Sequence, residues 1–207
     1  PNIPSDFKIN VPDSTQKKLI HGYYACVSYI DAEIGKLIKH LKKIDIYENS
    51  IIVLWGDHGW QLGEHNLWAK HCNYQTSLKV PLLIKYPKQK KQKRINTVVE
   101  LLDIYPTLCD LSNIKKPKHL QGKSLLSINN SDPKNLYGYS KYHRGETVTS
   151  IDKSYTEWRM KDNNFKADMM YDLLKDPNEN INISNNKENN SKRNKFQYLL
   201  DSIRKLD

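Results

Sequence analysis

The sequence predicts an α/β fold followed by a small antiparallel sheet and a terminal helix, and three observations support this. Apolar residues recur every three or four positions over residues 14–41, which is typical of a long helix with one apolar face. After a short link, the apolar run Ile51–Trp55 is typical of a strand buried on both faces of a parallel sheet. Segments 136–142, 146–151 and 154–160 alternate between apolar and polar residues, as half-buried strands do.

The chain begins with a proline-rich segment, residues 1–12, which predicts an extended arm. We expect the first helix to start near Ser14, with Ser14 or Asp13 as its N-cap. Residues 44–50 then lead into the strand, an α-to-β step typical of α/β sheets. Val80–Tyr86 predicts a further strand and residues 98–111 a further helix.

A segment rich in Asn, Ser and Pro, residues 129–135, predicts a domain boundary. Residues 1–128 would then be the later part of an α/β domain, and residues 129–207 a C-terminal α+β subdomain. The tail from residue 182 opens as a polar loop and closes with apolar residues at helical spacing. These residues, which predict a docked terminal helix, are Phe196, Leu199, Leu200 and Ile203.

The formal net charge is +10 over 207 residues, and the excess lies in lysine-rich segments such as 88–94 and 187–195. Clustered lysine and arginine can bind nucleic acid, but no aromatic-interleaved basic stripe accompanies the charge, so we predict no nucleic-acid partner. The same charge suits attraction of an anionic substrate. No apolar run is long enough to cross a membrane.

Three cysteines, Cys26, Cys72 and Cys109, form neither a paired framework nor a Cys-x-x-Cys motif. We predict that each is a small buried apolar residue.

The strongest candidates for functional side chains lie just after the first strand, in the sequence Gly56-Asp57-His58-Gly59. One carboxylate and one imidazole follow the carboxyl end of a strand, the edge at which α/β sheets form ligand crevices. Two interpretations remain open for this pair: a polar turn with a local side-chain hydrogen bond, or half of a metal site whose other ligands lie elsewhere.

The residues after this turn combine charged and large apolar side chains, which predicts a partly buried loop whose charges face a ligand. The charged residues are Glu64, His65 and Lys70, and the apolar ones are Trp60, Leu62, Leu67 and Trp68.

The segment from Asp57 to Lys70, Asp-His-Gly-Trp-Gln-Leu-Gly-Glu-His-Asn-Leu-Trp-Ala-Lys, resembles the late active-site segment of type I sulfatases. These are formylglycine-dependent members of the alkaline phosphatase-like superfamily, and the iduronate-2-sulfatase branch is the most similar. The resemblance implies that Asp57 and His58 bind a divalent cation, usually Ca²⁺, and that Lys70 is a catalytic residue that contacts the sulfate. We assign His65, in the same loop, as a second substrate contact.

Other segments carry the same resemblance, and it implies a sulfatase-like α/β domain ending in a small antiparallel-sheet subdomain. They are Tyr23–Ala32, Asp103–Leu108, Gln121–Leu125, Tyr155–Trp158 and Met170–Leu173. One position departs from the iduronate branch, because Thr149 stands where relatives carry an arginine, which argues against a uronate substrate.

The family's nucleophile is a formylglycine made within a Cys/Ser-x-Pro/Ala-x-Arg motif, and no cysteine or serine of this chain lies in one. We therefore interpret the chain as a C-terminal fragment, with the formylglycine upstream of Pro1, and expect it to be inactive alone. The resemblance implies hydrolysis of a sulfate ester, such as a sulfated carbohydrate, in a secreted, periplasmic or lysosomal-type compartment. A phosphonate or phosphodiester hydrolase and a non-catalytic binding module remain alternatives.

Overall fold

A computed structural model of the chain describes residues 11–89, 91–128, 137–159 and 165–205. The described residues form two compact units. The first comprises residues 11–55, 60–70 and 82–89; the second comprises residues 56–59, 71–81 and the described residues from 91 onward. The predicted boundary at 129–135 and most of the predicted N-terminal arm lie outside the described residues, so the division at residue 129 stays a prediction.

The first unit begins with helix α1, Asp13–Lys43. Its predicted N-cap is wrong, since Pro12 occupies that position and makes no side-chain capping bond. The helix is amphipathic as predicted, but none of its residues is buried. Leu19, Val27, Ile30 and Leu37, all from the apolar stripe, are each between 46% and 56% exposed.

Strand β1, Ile52–Trp55, pairs with β4, Leu82–Lys85, in antiparallel orientation. The prediction of a parallel strand buried on both faces is therefore wrong for this described pair, in which Leu54 and Trp55 are 41% and 50% exposed. An apolar run indicates that a strand suits a buried position. It does not indicate whether the neighbouring strand is parallel or antiparallel, because that depends on how the chain connects the two strands. Two paired strands by themselves also do not bury both of their faces.

In sequence, three short elements separate β1 from β4. They are strand β2, Gln61–Leu62, strand β3, Trp68–Ala69, and the one-turn helix α2, Gln75–Leu78. Helix α3, Ile104–Leu111, follows a 3-10 turn at Leu101–Asp103. Pro106 falls in the first turn of α3, where a missing N–H is tolerated, and the helix begins at Ile104 rather than at residue 98 as predicted.

Four antiparallel strands of the second unit form a meander in which each strand pairs with the next: β5, Gly138–Tyr142; β6, Gly145–Thr149; β7, Lys153–Arg159; and β8, Phe165–Asp172. The three predicted strands are confirmed as β5, β6 and β7, with bounds that differ from the prediction by at most two residues. β8 is not predicted as a strand, although its residues 170–172 belong to a segment that resembles the family.

Helix α4, Asn190–Arg204, confirms the predicted terminal helix. Phe196 and Leu200 are 1% and 0% exposed and pack with Val148, Tyr155 and Met170 of the sheet. The rings of Phe196 and Tyr155 stack with centroids 6.0 Å apart. This sheet-on-helix cluster is the hydrophobic core of the second unit.

Ion pairs dock α4 beside that core. Arg204 donates from Nε to Glu146 Oε2 at 2.5 Å, and its Nη2 lies 2.9 Å from Glu157 Oε1. Burial raises the pKa of Glu146, but the hydrogen bonds from Arg204 and Lys141 outweigh it and hold the pKa below its usual value. Because Glu146 and Glu157 are both buried, their charges depend on these partners.

The cysteine prediction holds only in part. Cys109 is buried and Cys72 half-buried, but Cys26 is exposed on α1, whose apolar face is largely uncovered. No disulfide involves any of the three. Within the described ranges, no helix is long and apolar enough to cross a bilayer.

Candidate functional site

The turn at residues 56–59 carries the two residues predicted to bind a cation. Backbone hydrogen bonds hold both of its ends: Gly56 N donates to Pro81 O at 3.1 Å, and Gly59 N donates to Ser77 O at 2.8 Å. The turn is therefore fixed against residues 77–81 by main-chain bonds, which leaves its side chains available for other contacts.

Gly59 is a glycine because of a close approach. A Cβ at this position would lie 1.9 Å from the carbonyl oxygen of Thr76, far inside any contact distance. Only a residue without a side chain lets the 56–59 turn lie against the backbone of α2.

Asp57 and His58 contact each other directly. Asp57 Oδ1 accepts the backbone N–H of His58 at 3.1 Å, which is the local hydrogen bond of the polar-turn interpretation. His58 Nδ1 lies 2.8 Å from the carbonyl oxygen of Gly59. Since a carbonyl only accepts, this bond places the proton on Nδ1 and makes Nε2 the acceptor nitrogen of the neutral ring. That Nε2 lies 3.5 Å from Asp57 Oδ2.

This arrangement fits part of a cation site. Two donor atoms 3.5 Å apart can both lie about 2.3–2.6 Å from one cation, the usual Ca²⁺–oxygen range. A backbone bond to Nδ1 is also the usual way in which a protein presents Nε2 to a metal. The described ranges contain no group of three or more His, Cys, Asp or Glu placed to hold a metal ion. The turn thus offers two candidate ligand atoms, and a complete cation site needs more.

His65 and Lys70 lie in the hairpin formed by β2 and β3. Its loop contains left-handed backbone at Gly63, His65 and Asn66, and Ala69, just before Lys70, has a φ of 73°. This conformation costs a non-glycine residue about 1–2 kcal/mol, and such strain concentrates at functional sites. Both His65 and Lys70 are half-buried.

The large apolar residues of the hairpin pack as predicted. The Trp60 ring stacks on Tyr23 of α1 with centroids 6.2 Å apart. A Cβ on Gly63, whose φ is 116°, would lie 3.2 Å from the ring of Trp68, so the loop is tightly closed over that ring. Leu62 and Leu67 are half-buried. These contacts hold the backbone of the hairpin that directly precedes Lys70.

The structure brings Asp57 and His58 together within the second unit. His65 and Lys70 share one hairpin of the first unit. Their assignment as ligands and substrate contacts stays a prediction.

Sequence reasoning missed the residues that support the 56–59 turn. Asn73, Gln75 and Glu179 hold the backbone next to Gly59 through hydrogen bonds within the second unit. The one available signal is the Asp-Pro-Asn-Glu-Asn segment at residues 176–180, in which Glu179 lies among turn-forming residues. His71 lies nearby in sequence, and its ring stacks on Tyr142 at 5.2 Å.

A separate cavity of about 80 Å³ lies in the second unit beside Glu100 and Asp103. Burial raises the pKa of Glu100 despite its bond from the Tyr139 N–H. Asp103 accepts the backbone N–H groups of Glu100 and Lys123. These carboxylates are engaged in capping and chain-joining bonds, so the cavity is part of the scaffold.

Comparison with known proteins matches two family models to this chain. The model "Sulfatase" covers residues 2–114, and the model "N-sulphoglucosamine sulphohydrolase, C-terminal" covers residues 63–206. Together they span almost the whole sequence.

Two relatives agree with these models. A protein of Formosa agariphila named "Sulfatase" is 37% identical over 186 residues, covering 89% of this chain and 36% of the relative. Mouse iduronate 2-sulfatase is 25% identical over 215 residues, covering 72% of this chain and 39% of the relative.

Solved structures share the fold. A protein in complex with its substrate, D-glucosamine-2-N,6-O-disulfate, matches with a TM-score of 0.73 and 28% identity, over 86% of this chain and 39% of that one. The phosphonate monoester hydrolase of Silicibacter pomeroyi matches with a TM-score of 0.82 over 95% of this chain and 43% of that one. At 21% identity, that second likeness shows the fold alone.

The chain spans a little over a third of the length of the Formosa relative. Its α/β part and antiparallel subdomain correspond to the C-terminal part of the alkaline phosphatase-like sulfatase fold. Membership implies a metal ion and a formylglycine in the active site of the family. The chain belongs to the sulfatase family.

Proposed function

We propose that this chain is the C-terminal part of a sulfuric ester hydrolase that acts on a sulfated carbohydrate. Family membership carries the proposal, supported by the neighbouring structure whose substrate is a glucosamine disulfate. The geometry of Asp57 and His58 is compatible with part of the cation site that such an enzyme needs.

Asp57 and His58 are our proposed cation ligands, through Oδ2 and Nε2, and Ca²⁺ is the proposed ion. A hard carboxylate oxygen suits Ca²⁺, and 82% exposure of the Asp57 side chain leaves it accessible to an ion. When bound, the cation supplies positive charge that stabilises the negative sulfuryl oxygens. The Nδ1–H bond to Gly59 O fixes the His58 ring orientation, so the chain itself presents the correct nitrogen.

Lys70 is the proposed sulfate contact. Its ammonium group is a compact cation with three N–H donors, suited to a tetrahedral anion. The left-handed residue before it and the packed hairpin limit where this charge can lie. His65 would donate a second hydrogen bond to the substrate. Removing one such donor typically costs about 2.7–4 kcal/mol of transition-state stabilisation, or about 10²–10³ in kcat.

The test uses the full-length protein with an aryl sulfate, a sulfated glucosamine and, in parallel, a phosphonate monoester and a phosphodiester. We expect sulfate ester turnover that Asp57→Ala abolishes and that Lys70→Ala lowers by about 10²–10³. Lys79→Ala, at an exposed lysine, is the control and should retain wild-type kcat.

A phosphonate or phosphodiester hydrolase is the second candidate, because such an enzyme shares this fold. Turnover of phosphoesters with no turnover of any sulfate ester would establish it and refute the sulfatase proposal. Binding of sulfated sugars without any turnover by the full-length protein would instead indicate a non-catalytic binding module. Thr149, in place of the arginine of the iduronate branch, leads us to expect poor activity on sulfated uronates.

A further inference from the structure

Glu179 is a buried carboxylate distant in sequence from the 56–59 turn. It lies in the loop after β8, is 2% exposed and has a φ of 56°. A buried carboxylate requires hydrogen-bond donors to offset its lost hydration. Glu179 Oε2 accepts the backbone N–H of Gln75 at 2.6 Å, and Oε1 accepts the Ser154 hydroxyl at 2.7 Å.

Through these bonds Glu179 anchors residues 73–77, here called the anchored segment, to the four-stranded sheet. Asn73 Nδ2 donates to Gly145 O at 3.2 Å and to Thr147 Oγ1 at 3.1 Å. Gln75 Nε2 donates to Thr149 Oγ1 at 3.2 Å. The anchored segment is thus bound to β6 by side chains and to the loop after β8 by the carboxyl group of Glu179.

The anchored segment in turn holds the 56–59 turn. Ser77 O accepts the Gly59 N–H, and Thr76 O occupies the space that a Gly59 side chain would need. Gly59 O then bonds His58 Nδ1. A continuous path of hydrogen bonds and backbone therefore runs from Glu179 through residues 75–77 and Gly59 to the His58 ring, entirely within the second unit.

We propose that Glu179 is a positioning residue for the cation site: it fixes the anchored segment, which sets the orientation of His58 and the 3.5 Å separation of its Nε2 from Asp57 Oδ2. The inference rests on the proposed function of Asp57 and His58. Groups that orient a metal ligand typically change metal affinity about 10- to 100-fold when they are replaced.

The test measures Ca²⁺ affinity by calorimetry and the hydrogen exchange of the Gly59 amide in the full-length protein. Glu179→Gln keeps the shape but replaces two accepting oxygens with one. We expect about 10- to 100-fold weaker Ca²⁺ binding and faster exchange of the Gly59 amide. Glu188→Gln, at an exposed glutamate, should leave both measurements unchanged.

Ser154→Ala separates positioning from stability. It removes one donor to Glu179 but keeps the bond to Gln75 N, so it should lower the unfolding midpoint while retaining most of the Ca²⁺ affinity. If Glu179→Gln does not fold, Thr149→Val removes only the Gln75 side-chain bond to β6 and should weaken Ca²⁺ binding by less than the 10- to 100-fold expected of Glu179→Gln.

Two results distinguish failure of this inference from failure of the proposed function. If Asp57→Ala abolishes Ca²⁺ binding while Glu179→Gln and Thr149→Val bind like wild type, Glu179 only stabilises the fold and the inference is wrong. Equal losses of affinity in Glu179→Gln and Ser154→Ala would overturn it as well. Unchanged Ca²⁺ binding in Asp57→Ala would refute the cation site itself.

Discussion

At the residue scale, the backbone around the 56–59 turn matters as much as the side chains of Asp57 and His58 that the turn presents. Asp57 and His58 carry the proposed ligand atoms, but Gly59 and the carbonyls of α2 determine where those side chains lie. The sequence suggested the pair, because an acid and an imidazole between glycines follow an apolar strand. The sequence did not identify Thr76, because Thr76 contacts Gly59 through its backbone carbonyl, which every residue type has.

Gly59→Ala tests this close approach. The new methyl group would meet Thr76 O at 1.9 Å, so the backbone must move, and we expect a loss of about 1–3 kcal/mol in unfolding free energy. Urea unfolding of the full-length protein measures it. Gly22→Ala is the matched control, because nothing lies within 4 Å of its Cβ position on α1; it should raise stability by about 0.5–1 kcal/mol. Equal stability of the two variants would contradict the structure at this turn.

At the element scale, α4 shows how one helix is docked by apolar packing and by charge together. Its spacing of Phe196 and Leu200 was sufficient to predict both the helix and its docked face. Its ion pairs could not be predicted, because Arg193, Arg204 and Lys192 meet carboxylates tens of residues away in sequence. Local periodicity reports the face of a helix but not the partner that covers it.

Asp152 gives this docking a pH dependence. Burial raises its pKa, but hydrogen bonds from Lys192 and Ser150 outweigh that effect and lower the pKa to about 2. A carboxyl whose folded pKa lies below its unfolded value of 3.8 stabilises the fold above about pH 4, and this stabilisation is lost as the pH falls toward 2. We therefore expect Asp152→Asn to cost about 1–2 kcal/mol at pH 7.

The measurement is the difference in unfolding free energy between wild type and Asp152→Asn from pH 7 down to pH 2.5. That difference should shrink below about pH 4, because the carboxyl of the unfolded wild type then binds a proton while the folded carboxyl stays ionised until about pH 2, and this favours unfolding. A constant difference over this range would show that the ion pair with Lys192 does not hold α4.

At the scale of the whole molecule, the two units differ in how well they are covered. The second unit has a buried hydrophobic core covered by α4. In the first unit, large apolar side chains of α1 and of the β1–β4 pair are exposed. Relatives are more than twice as long as the stretch that matches this chain, and exposed apolar surface of this kind marks an interaction face.

We expect residues 1–207, expressed alone, to self-associate through the exposed face of α1. Sedimentation and binding of a hydrophobic dye should both report this, and the full-length protein should show neither. Replacing Leu19, Val27 and Ile30, all about half exposed, by glutamine should restore the monomer. A monomeric, dye-free wild-type fragment would mean that α1 is covered within the chain itself.

The sequence by itself determined most of the elements, because hydrophobic period and turn residues act locally: α1, α4 and three strands of the meander lie where the pattern predicts them, and α3 occupies the second half of its predicted range. The segment from Asp57 to Lys70 likewise indicated the sulfatase family, which the family models confirm. Only the tertiary structure decided the direction of β1, the exposure of α1 and the support of His58 by way of Glu179. These depend on contacts between residues distant in sequence, which no local pattern encodes.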